Sequence, residues 1–377
     1  MNNRAVRSDQ GRICVVSLRG STRTLARCVG WELEDLLCEL TGADLVAPIP
    51  GRMPPTVARV MRHATRTTRY LAHINPGYRR VTLDGRYDLI VVVAQFARDL
   101  VVMNALPGWR ALTDVAICWL EEHWAAAPVP ARSALSQFDY IVVNCHGSVG
   151  TVAAATGRPV TFQPPGIDGL LFCPWPNPPV RSIDVMNIGR RSEVTHRALL
   201  AREDLHYYYD SVRFAGVVDP GEHRRLYSNL VKRSRYFIAN RAKFDCAEQT
   251  AGQAELGFRF IEGAAAGAVV IGDHPRGGAF DEHFGWEDSL LAAPVDAPLI
   301  GDMIDELDRQ PERIAAIRRR NVVNVLRRHA WAHRISVLLR TAGLPVPAAV
   351  DERLERLEAT AAAVAAGGNH TAAPALT

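Results

Sequence analysis

The chain has 377 residues, of which 48% are hydrophobic and 22% charged, and its formal net charge is +4. At about 150 residues per domain, this length predicts two domains or one large one, with enough chain to bury a core in each half. The small net charge, without a dense basic cluster interleaved with aromatic residues, argues against a nucleic-acid-binding protein.

The cysteines and the apolar segments limit the cellular context. Seven cysteines are scattered along the chain and never spaced Cys-x-x-Cys, which predicts reduced thiols in a cytosol and argues against a disulfide framework or a zinc site. No segment typical of a signal peptide begins the chain, and the longest apolar run, 87–106, is interrupted by Arg98 and Asp99. That run predicts a buried strand rather than a membrane span, and peripheral contact with a membrane stays open.

The first 165 residues alternate between short apolar runs and segments whose apolar residues recur at helical spacing. Continuous runs rich in β-branched residues, such as YDLIVVVAQ at 87–95, are typical of parallel strands covered by helices on both faces. The alternation predicts an α/β doubly wound domain. The predicted strands are 13–18, 43–49, 87–95, 115–124, 138–145 and 159–165, and the predicted helices are 31–40, 54–71 and 147–157.

A proline-rich segment separates this half from a second one. Residues 164–182 hold six prolines in 19 positions, which predicts a linker. The alternation then restarts, and the Ala/Gly/Thr-rich tail after about residue 360 predicts disorder. Predicted strands are 183–189, 212–218, 236–240 and 268–273, and predicted helices are 196–205, 222–234, 259–267 and 303–343, the last broken near Pro311. We divide the chain into domain 1–165, linker 166–182, domain 183–345, and a return helix with a disordered tail, 346–377.

Polar side chains follow the predicted strands of the second half, where ligands bind in open α/β sheets. They include Gly189-Arg190 after the first strand and Lys243 after the third. A diphosphate needs cations and the backbone N–H groups of a helix N-terminus, so these residue types suit a nucleotide diphosphate.

The segment from Glu255 to Glu262 adds the remaining groups. Gly257 allows close approach of the backbone, and Arg259, with Lys243, supplies counter-charge. A carboxylate can accept from both ribose hydroxyls, which suits Glu262 in the first helical turn, and Glu255 could hold hydroxyls of a second sugar. The segment therefore predicts a site for a nucleoside diphosphate linked to a sugar.

Three motifs resemble the GT-B glycosyltransferases of the retaining family 4 type, also described as glycosyl transferases group 1. They are NIGRRS at 187–192, QPPGIDGLLFCP at 163–174 and ELGFRFIEGAAAG at 255–267. The resemblance implies two Rossmann-like domains facing across a cleft. It implies that Gly189 and Arg190 form a phosphate loop, that Glu262 binds the nucleotide ribose and that Glu255 faces the donor sugar.

The chain departs from the family pattern at several positions. Six residues, rather than seven, separate the two glutamates, and the family's lysine after the Gly-Arg pair is absent, so Lys243 is the candidate replacement. Where many members carry a catalytic-site histidine, this chain has Glu121 and Glu122 before His123, and His146 follows the next strand. These residues are the catalytic candidates, with retention of anomeric configuration favoured and inversion open.

The expected function is transfer of a sugar from a nucleoside-diphosphate sugar to an unidentified acceptor, in cell-surface glycan, glycolipid or secondary-metabolite synthesis. Because no Asp-x-Asp motif occurs, we expect neither a metal nor a cofactor beyond the donor. The alternative is a non-catalytic nucleotide- or glycan-binding protein of the same fold. A Rossmann oxidoreductase is disfavoured because no Gly-x-Gly-x-x-Gly follows the first strand. We expect a cytoplasmic protein, with association at the inner membrane face left open.

Overall fold

The computed structural model describes residues 11–52, 56–57, 60–61, 63, 74–126, 132–211 and 216–367. The strands of these residues form one six-stranded and one five-stranded sheet. Every strand pairing in both sheets is parallel. The predicted α/β architecture with two Rossmann-like sheets is therefore confirmed.

The first sheet has the strand order β2-β1-β3-β4-β5-β6. Two apolar cores cover it, because successive residues of a strand point to opposite faces. In β3, Ile90 and Val92 belong to one core while Leu89 and Val91 belong to the other. The strands are β1 Ile13–Val16, β2 Asp44–Val46, β3 Tyr87–Ala94, β4 Thr113–Leu120, β5 Tyr140–Val143 and β6 Val160–Phe162.

The second sheet has the order β11-β10-β9-β7-β8. The chain runs outward from β7 to β8, then returns to β9 on the other side of β7. This reversal places the topological switch point of the sheet between β7 and β9, and doubly wound sheets commonly bind ligands at the carboxyl ends of strands near such a point. The strands are β7 Ile183–Ile188, β8 Tyr207–Asp210, β9 Ser234–Ile238, β10 Val269–Gly272 and β11 Leu291–Ala292.

Local signals set several helix ends. Helix α4 begins with Pro220 after Asp219, whose side chain accepts a hydrogen bond from the N–H of Glu222 at 3.0 Å. The α-helices of eight or more described residues are α1 Cys28–Thr41, α2 Val149–Thr156, α3 Glu193–Leu200, α4 Pro220–Lys232, α5 Phe258–Ala265, α6 Ile300–Asp308, α7 Pro311–Arg328, α8 Trp331–Thr341 and α9 Ala348–Ala365.

Two predicted elements of the second half lie elsewhere in the structure. Strand β8 precedes the predicted strand 212–218, of which 212–215 lie outside the described residues and Gly216 forms an isolated antiparallel bridge with Thr24. The helix predicted at 196–205 is α3, which starts earlier because Ser192 caps it by accepting from the N–H of Thr195.

Three longer predictions also need revision. Most of the predicted helix 54–71 lies outside the described residues, although those described within it are helical. The single broken helix predicted at 303–343 is three helices, α6, α7 and α8. Helix α9 extends through Ala365, into the tail predicted to be disordered, whereas residues 368–377 lie outside the described part.

The proline-rich linker packs tightly against the C-terminal helices. A Cβ at Gly166 would come within 2.4 Å of the Trp331 ring, so only glycine fits there. Asp168 accepts a hydrogen bond from the N–H of Leu171 and one from Arg353 Nη2 at 2.7 Å. The Pro-Gly-Ile-Asp motif therefore has a structural role in holding the linker.

Helix α8 crosses back to the N-terminal sheet. Trp331, Ile335 and Leu338 are buried in the same apolar core as Val15 and Leu33. Within the described residues, no helix is both long enough and apolar enough to cross a membrane.

Candidate functional site

A cavity of about 350 Å³ lies at the carboxyl ends of β7 and β8, facing the N-terminal half. Its apolar walls include Leu25 from the N-terminal half, and Ile188 and Leu230 from the C-terminal half, while Asp219 and Glu222 contribute carboxylates. A cavity with apolar faces and a few polar groups is typical of a small-molecule site.

Tyr227 connects this cavity to the predicted donor site. Its ring lines the cavity, and its hydroxyl donates to Glu262 Oε2 at 2.9 Å and accepts from Arg259 Nη1 at 2.6 Å. Arg259 also donates to Glu262 Oε2 at 2.7 Å. The predicted pair Arg259 and Glu262 thus lies beside the cavity, joined through a tyrosine that the motif did not include.

Arg224, on α4, joins the two halves of the protein through buried carboxylates. Its Nη1 donates to Glu262 Oε1 at 2.7 Å, and its Nε donates to Glu32 Oε1, on α1, at 2.9 Å. Glu32 Oε2 also accepts from Trp331 Nε1 and from the N–H of Asp168, both at 2.9 Å. All of these carboxylate oxygens are therefore satisfied inside the interface between the halves.

The surroundings of Glu262 limit its predicted ribose contact. Burial favours protonation, but Arg259 and Arg224 hold the pKa of this carboxyl below its usual range, so it is ionised. A carboxylate has about four lone-pair positions, and the three protein donors occupy one on Oε1 and two on Oε2. One lone-pair position therefore remains, at Oε1. Only 2% of the residue is exposed.

Glu255 is directed across the cleft toward the backbone of the N-terminal half. Its two carboxylate oxygens accept from the N–H groups of His146 at 2.8 Å and Gly147 at 2.9 Å. Gln253 donates to Glu255 and accepts from the N–H of Ala125 at 2.8 Å. The first glutamate of the motif thus links the two halves in this structure.

The predicted phosphate loop lies at the end of β7. Gly189 has a φ of +87°, in the left-handed region that favours glycine, and a Cβ there would lie 3.9 Å from Arg259 Nη2. Arg190 donates to both carboxylate oxygens of Asp245, at 2.6 and 2.8 Å, and its side chain is about half exposed. Gly189 and Arg259 therefore border one space, whereas Arg190 is held by Asp245.

The small residues of α5 serve packing rather than ligand approach. A Cβ at Gly263 would come within 2.8 Å of the Phe237 ring in β9, so α5 lies unusually close to the sheet. Gly257, at the start of α5, has an ordinary φ of −87°, and a Cβ there would meet only Phe260 at 3.9 Å. The backbone itself therefore gives no reason for glycine at 257.

Lys243, predicted to lie at the donor phosphates, instead reaches the N-terminal half. Its Nζ lies 2.7 Å from Glu122 Oε1, 5.3 Å from the ring centroid of Trp124 and 5.9 Å from that of Phe96. We call Phe96, Glu122 and Trp124 the Lys243 cage. In this structure Glu122 pairs with a cation rather than facing a catalytic centre.

Glu121 follows β4 and is enclosed by α1. A Cβ at Gly30 would lie 2.6 Å from Glu121 Oε1, so glycine in the helix makes room for this carboxyl. Burial, reinforced by nearby carboxylates such as Glu34, raises its pKa to about 8. Its Oε1 is buried without a hydrogen-bond partner among the described residues. Burial therefore favours the protonated form of Glu121.

Two histidines lie at the same edge of the first sheet. Burial lowers the pKa of His123, whose Nε2 has no hydrogen-bond partner in the described part of the chain. His146, the histidine predicted to be catalytic, is exposed and packs edge-on against Phe162 with ring centroids 5.1 Å apart. The catalytic role of Glu121, Glu122 and His146 stays a prediction.

Comparisons with known proteins agree with this architecture. Residues 157–340 match the family model described as glycosyl transferase-like. The fold is similar to that of Anabaena HepE, crystallised with UDP and glucose, at 12% identity and a TM-score of 0.52 over 88% of this chain and 99% of that one. The chain has the GT-B fold of glycosyltransferases.

The fold is also similar to that of a glycosyltransferase from Rickettsia africae, with 10% identity and a TM-score of 0.50 over 89% of this chain and 98% of that one. A comparison with curated protein sequences finds no match. The predicted recognition as a GT-B, group 1 type glycosyltransferase is confirmed, and the narrower family 4 assignment stays a prediction.

Three buried residues that adjoin the candidate site, Glu32, Arg224 and Tyr227, were not predicted from the sequence. Arg224 and Tyr227 are three residues apart on α4, which brings both to one face of the helix. A buried arginine on an otherwise amphipathic helix could have been suspected from this spacing. Glu32 had no local signal, because its partner lies 192 residues away.

Proposed function

We propose that this protein transfers a sugar from a nucleoside-diphosphate sugar to a hydroxyl or amine acceptor. The observation that carries the proposal is the shared Tyr227, which lines the cavity and contacts both Arg259 and Glu262. A cation, a carboxylate and an apolar cavity then lie together at the carboxyl ends of parallel strands.

The nucleoside would occupy the cavity, with its base between the apolar walls at Ile188 and Leu230. One ribose hydroxyl would donate to Glu262 Oε1, which retains a free acceptor position. The diphosphate would extend between the Gly189 backbone and Arg259, in the space that a side chain at 189 would fill. HepE of Anabaena has been crystallised with UDP-glucose, which makes UDP-sugars the first donors to test.

In the reaction, the bond between the anomeric carbon and the diphosphate oxygen breaks and a bond to the acceptor forms. The acceptor proton leaves with the departing diphosphate or with a base. Arg259 would offset the negative charge that grows on the leaving group, so the proposal includes neither a metal nor a cofactor. The proposal favours retention of anomeric configuration over inversion.

The proposal also includes a cytoplasmic location, supported by the free thiols of all seven cysteines. Contact with the inner face of a membrane remains compatible with it. The acceptor belongs to cell-surface glycan, glycolipid or secondary-metabolite synthesis in this proposal.

Calorimetry with UDP, GDP and ADP, followed by donor hydrolysis assays, tests the proposal. We expect one diphosphate to bind with a dissociation constant of about 1 µM to 1 mM, the usual range for enzyme substrates. The matching nucleotide-sugar should release its diphosphate slowly. Absence of binding for all three nucleotides would refute the proposal, while binding without hydrolysis or transfer would favour the non-catalytic alternative.

A further inference from the structure

The Lys243 cage lies on the acceptor side of the cleft, at the carboxyl ends of β3 and β4. Phe96 follows β3, whereas Glu122 and Trp124 follow β4. Lys243 belongs to the opposite half, in the loop after β9, and its ammonium group reaches Glu122 Oε1 at 2.7 Å. The cage therefore belongs to one half of the protein, while its present occupant comes from the other.

Neighbouring groups hold the cage in place. Gln95 Nε2 donates to Glu122 Oε2 at 3.1 Å, and Trp124 Nε1 donates to Glu122 Oε1 at 3.3 Å. Trp124 is buried, so its ring is fixed against the carboxylate. These contacts orient the carboxylate and one aromatic ring without any contribution from Lys243.

The backbone of Lys243 is in an unfavourable conformation for a lysine. Its φ of +55° lies in the left-handed region, which glycine adopts readily and other residues rarely adopt. Such strain persists where the surroundings enforce it and is concentrated at functional sites. The contacts of the ammonium group with the cage offset this strain.

We propose that the Lys243 cage is the acceptor site and binds acceptors that carry a protonated amine. A carboxylate beside aromatic faces is the chemistry that recognises an ammonium group, and Gln95 can bond a neighbouring hydroxyl. In the acceptor-free protein the Lys243 ammonium occupies the place of the acceptor amine. This inference rests on the proposed function, because it assigns the cage to the partner of the donor.

The variant Lys243→Gly tests the inference, since glycine removes the ammonium group from Glu122 and Trp124 and relieves the backbone at 243, while Arg98 stays over the Phe96 ring at 4.1 Å. Glucosamine and N-acetylglucosamine are the paired probes, because they share a ring but only glucosamine has an ammonium group. By calorimetry we expect glucosamine to bind Lys243→Gly at least about tenfold more tightly than it binds wild type. A tenfold gain is expected if Lys243 occupies the site in about 90% of wild-type molecules, because only the remaining fraction can bind the sugar. N-acetylglucosamine should bind both proteins equally.

Two further variants make the test decisive. Lys243→Ala, which empties the space of the lysine side chain without glycine's flexibility, should show the same gain, and Glu122→Gln in the Lys243→Gly background should abolish it. No gain in either variant, an equal gain for both sugars, or a gain that survives Glu122→Gln would overturn the inference. UDP calorimetry on the wild type distinguishes failure of the proposed function from failure of the cage assignment. If UDP binds but the Lys243 variants do not bind glucosamine more tightly, only the cage assignment is refuted.

Discussion

Replacing Arg224 by methionine should destabilise the protein strongly. Arg224 is buried and its guanidinium lies 2.9 Å from Glu32 and 2.7 Å from Glu262. Removing one partner of a buried ion pair costs about 3–5 kcal/mol, because the remaining charge stays out of water. Glu262 keeps Arg259 and Tyr227, whereas Glu32 keeps only two neutral donors. We therefore expect about 3 kcal/mol, mostly from Glu32.

Urea unfolding measures this loss without adding salt, and Arg225→Met is the matched control. Arg225 is the exposed neighbour on the same helix, so its replacement should change the unfolding free energy by less than about 0.5 kcal/mol. Neutralising the uncompensated acid in the double variant Glu32→Gln/Arg224→Met should recover much of the loss. Equal stability of Arg224→Met and Arg225→Met would refute the role of the buried bridge.

The effect of Arg224→Met should also depend on pH. Burial already raises the pKa of Glu32 in the wild type, despite Arg224, and loss of the arginine raises it further. A carboxyl whose pKa is raised on folding contributes stability when protonated, and that stability is lost as pH rises. The deficit of Arg224→Met relative to wild type should therefore be larger at pH 8 than at pH 5.

Three other predictions concern the cleft. Arg259→Ala should slow diphosphate release from the donor about 100-fold or more, since the guanidinium meets leaving-group charge; wild-type turnover in a coupled assay would make this arginine structural. Because the pKa of Glu121 is raised to about 8, its proton stabilises the fold at low pH and this contribution is lost as pH rises toward 8. The Glu121→Gln variant should therefore have a higher melting temperature than wild type at alkaline pH but not at pH 5. A difference in melting temperature that does not change with pH would contradict this. Activity should survive EDTA, and its loss with recovery on adding a divalent cation would disprove metal independence.

The fold was largely predictable because its strands carry local signals. The runs of β3 and β7 are apolar on both faces, as a covered parallel sheet requires. Strand β8 was missed because its sequence, Tyr-Tyr-Tyr-Asp, is only half buried and lacks a β-branched run. Helix α3 was misplaced because its Ser192 cap was overlooked.

The site was less predictable because its contacts join distant parts of the chain. Arg259 and Glu262 are three residues apart on α5, a spacing that brings their side chains to the same face of the helix. Arg259 Nη1 lies 2.7 Å from Glu262 Oε2. The same pattern could not show that Lys243 pairs with Glu122, or that Glu255 accepts from the backbone at 146 and 147. Nor could it show that Gly263 is required by the ring of Phe237.

The return of α8 to the first sheet has a consequence for biosynthesis. Residues from Ile13 to Val142 cannot complete one face of their core until Trp331 and Ile335 have left the ribosome. During most of translation that face stays open to water, and premature association with other nascent chains becomes a hazard. A release of the chain before residue 331 would leave this surface permanently uncovered, so fragments of the N-terminal half should aggregate rather than fold.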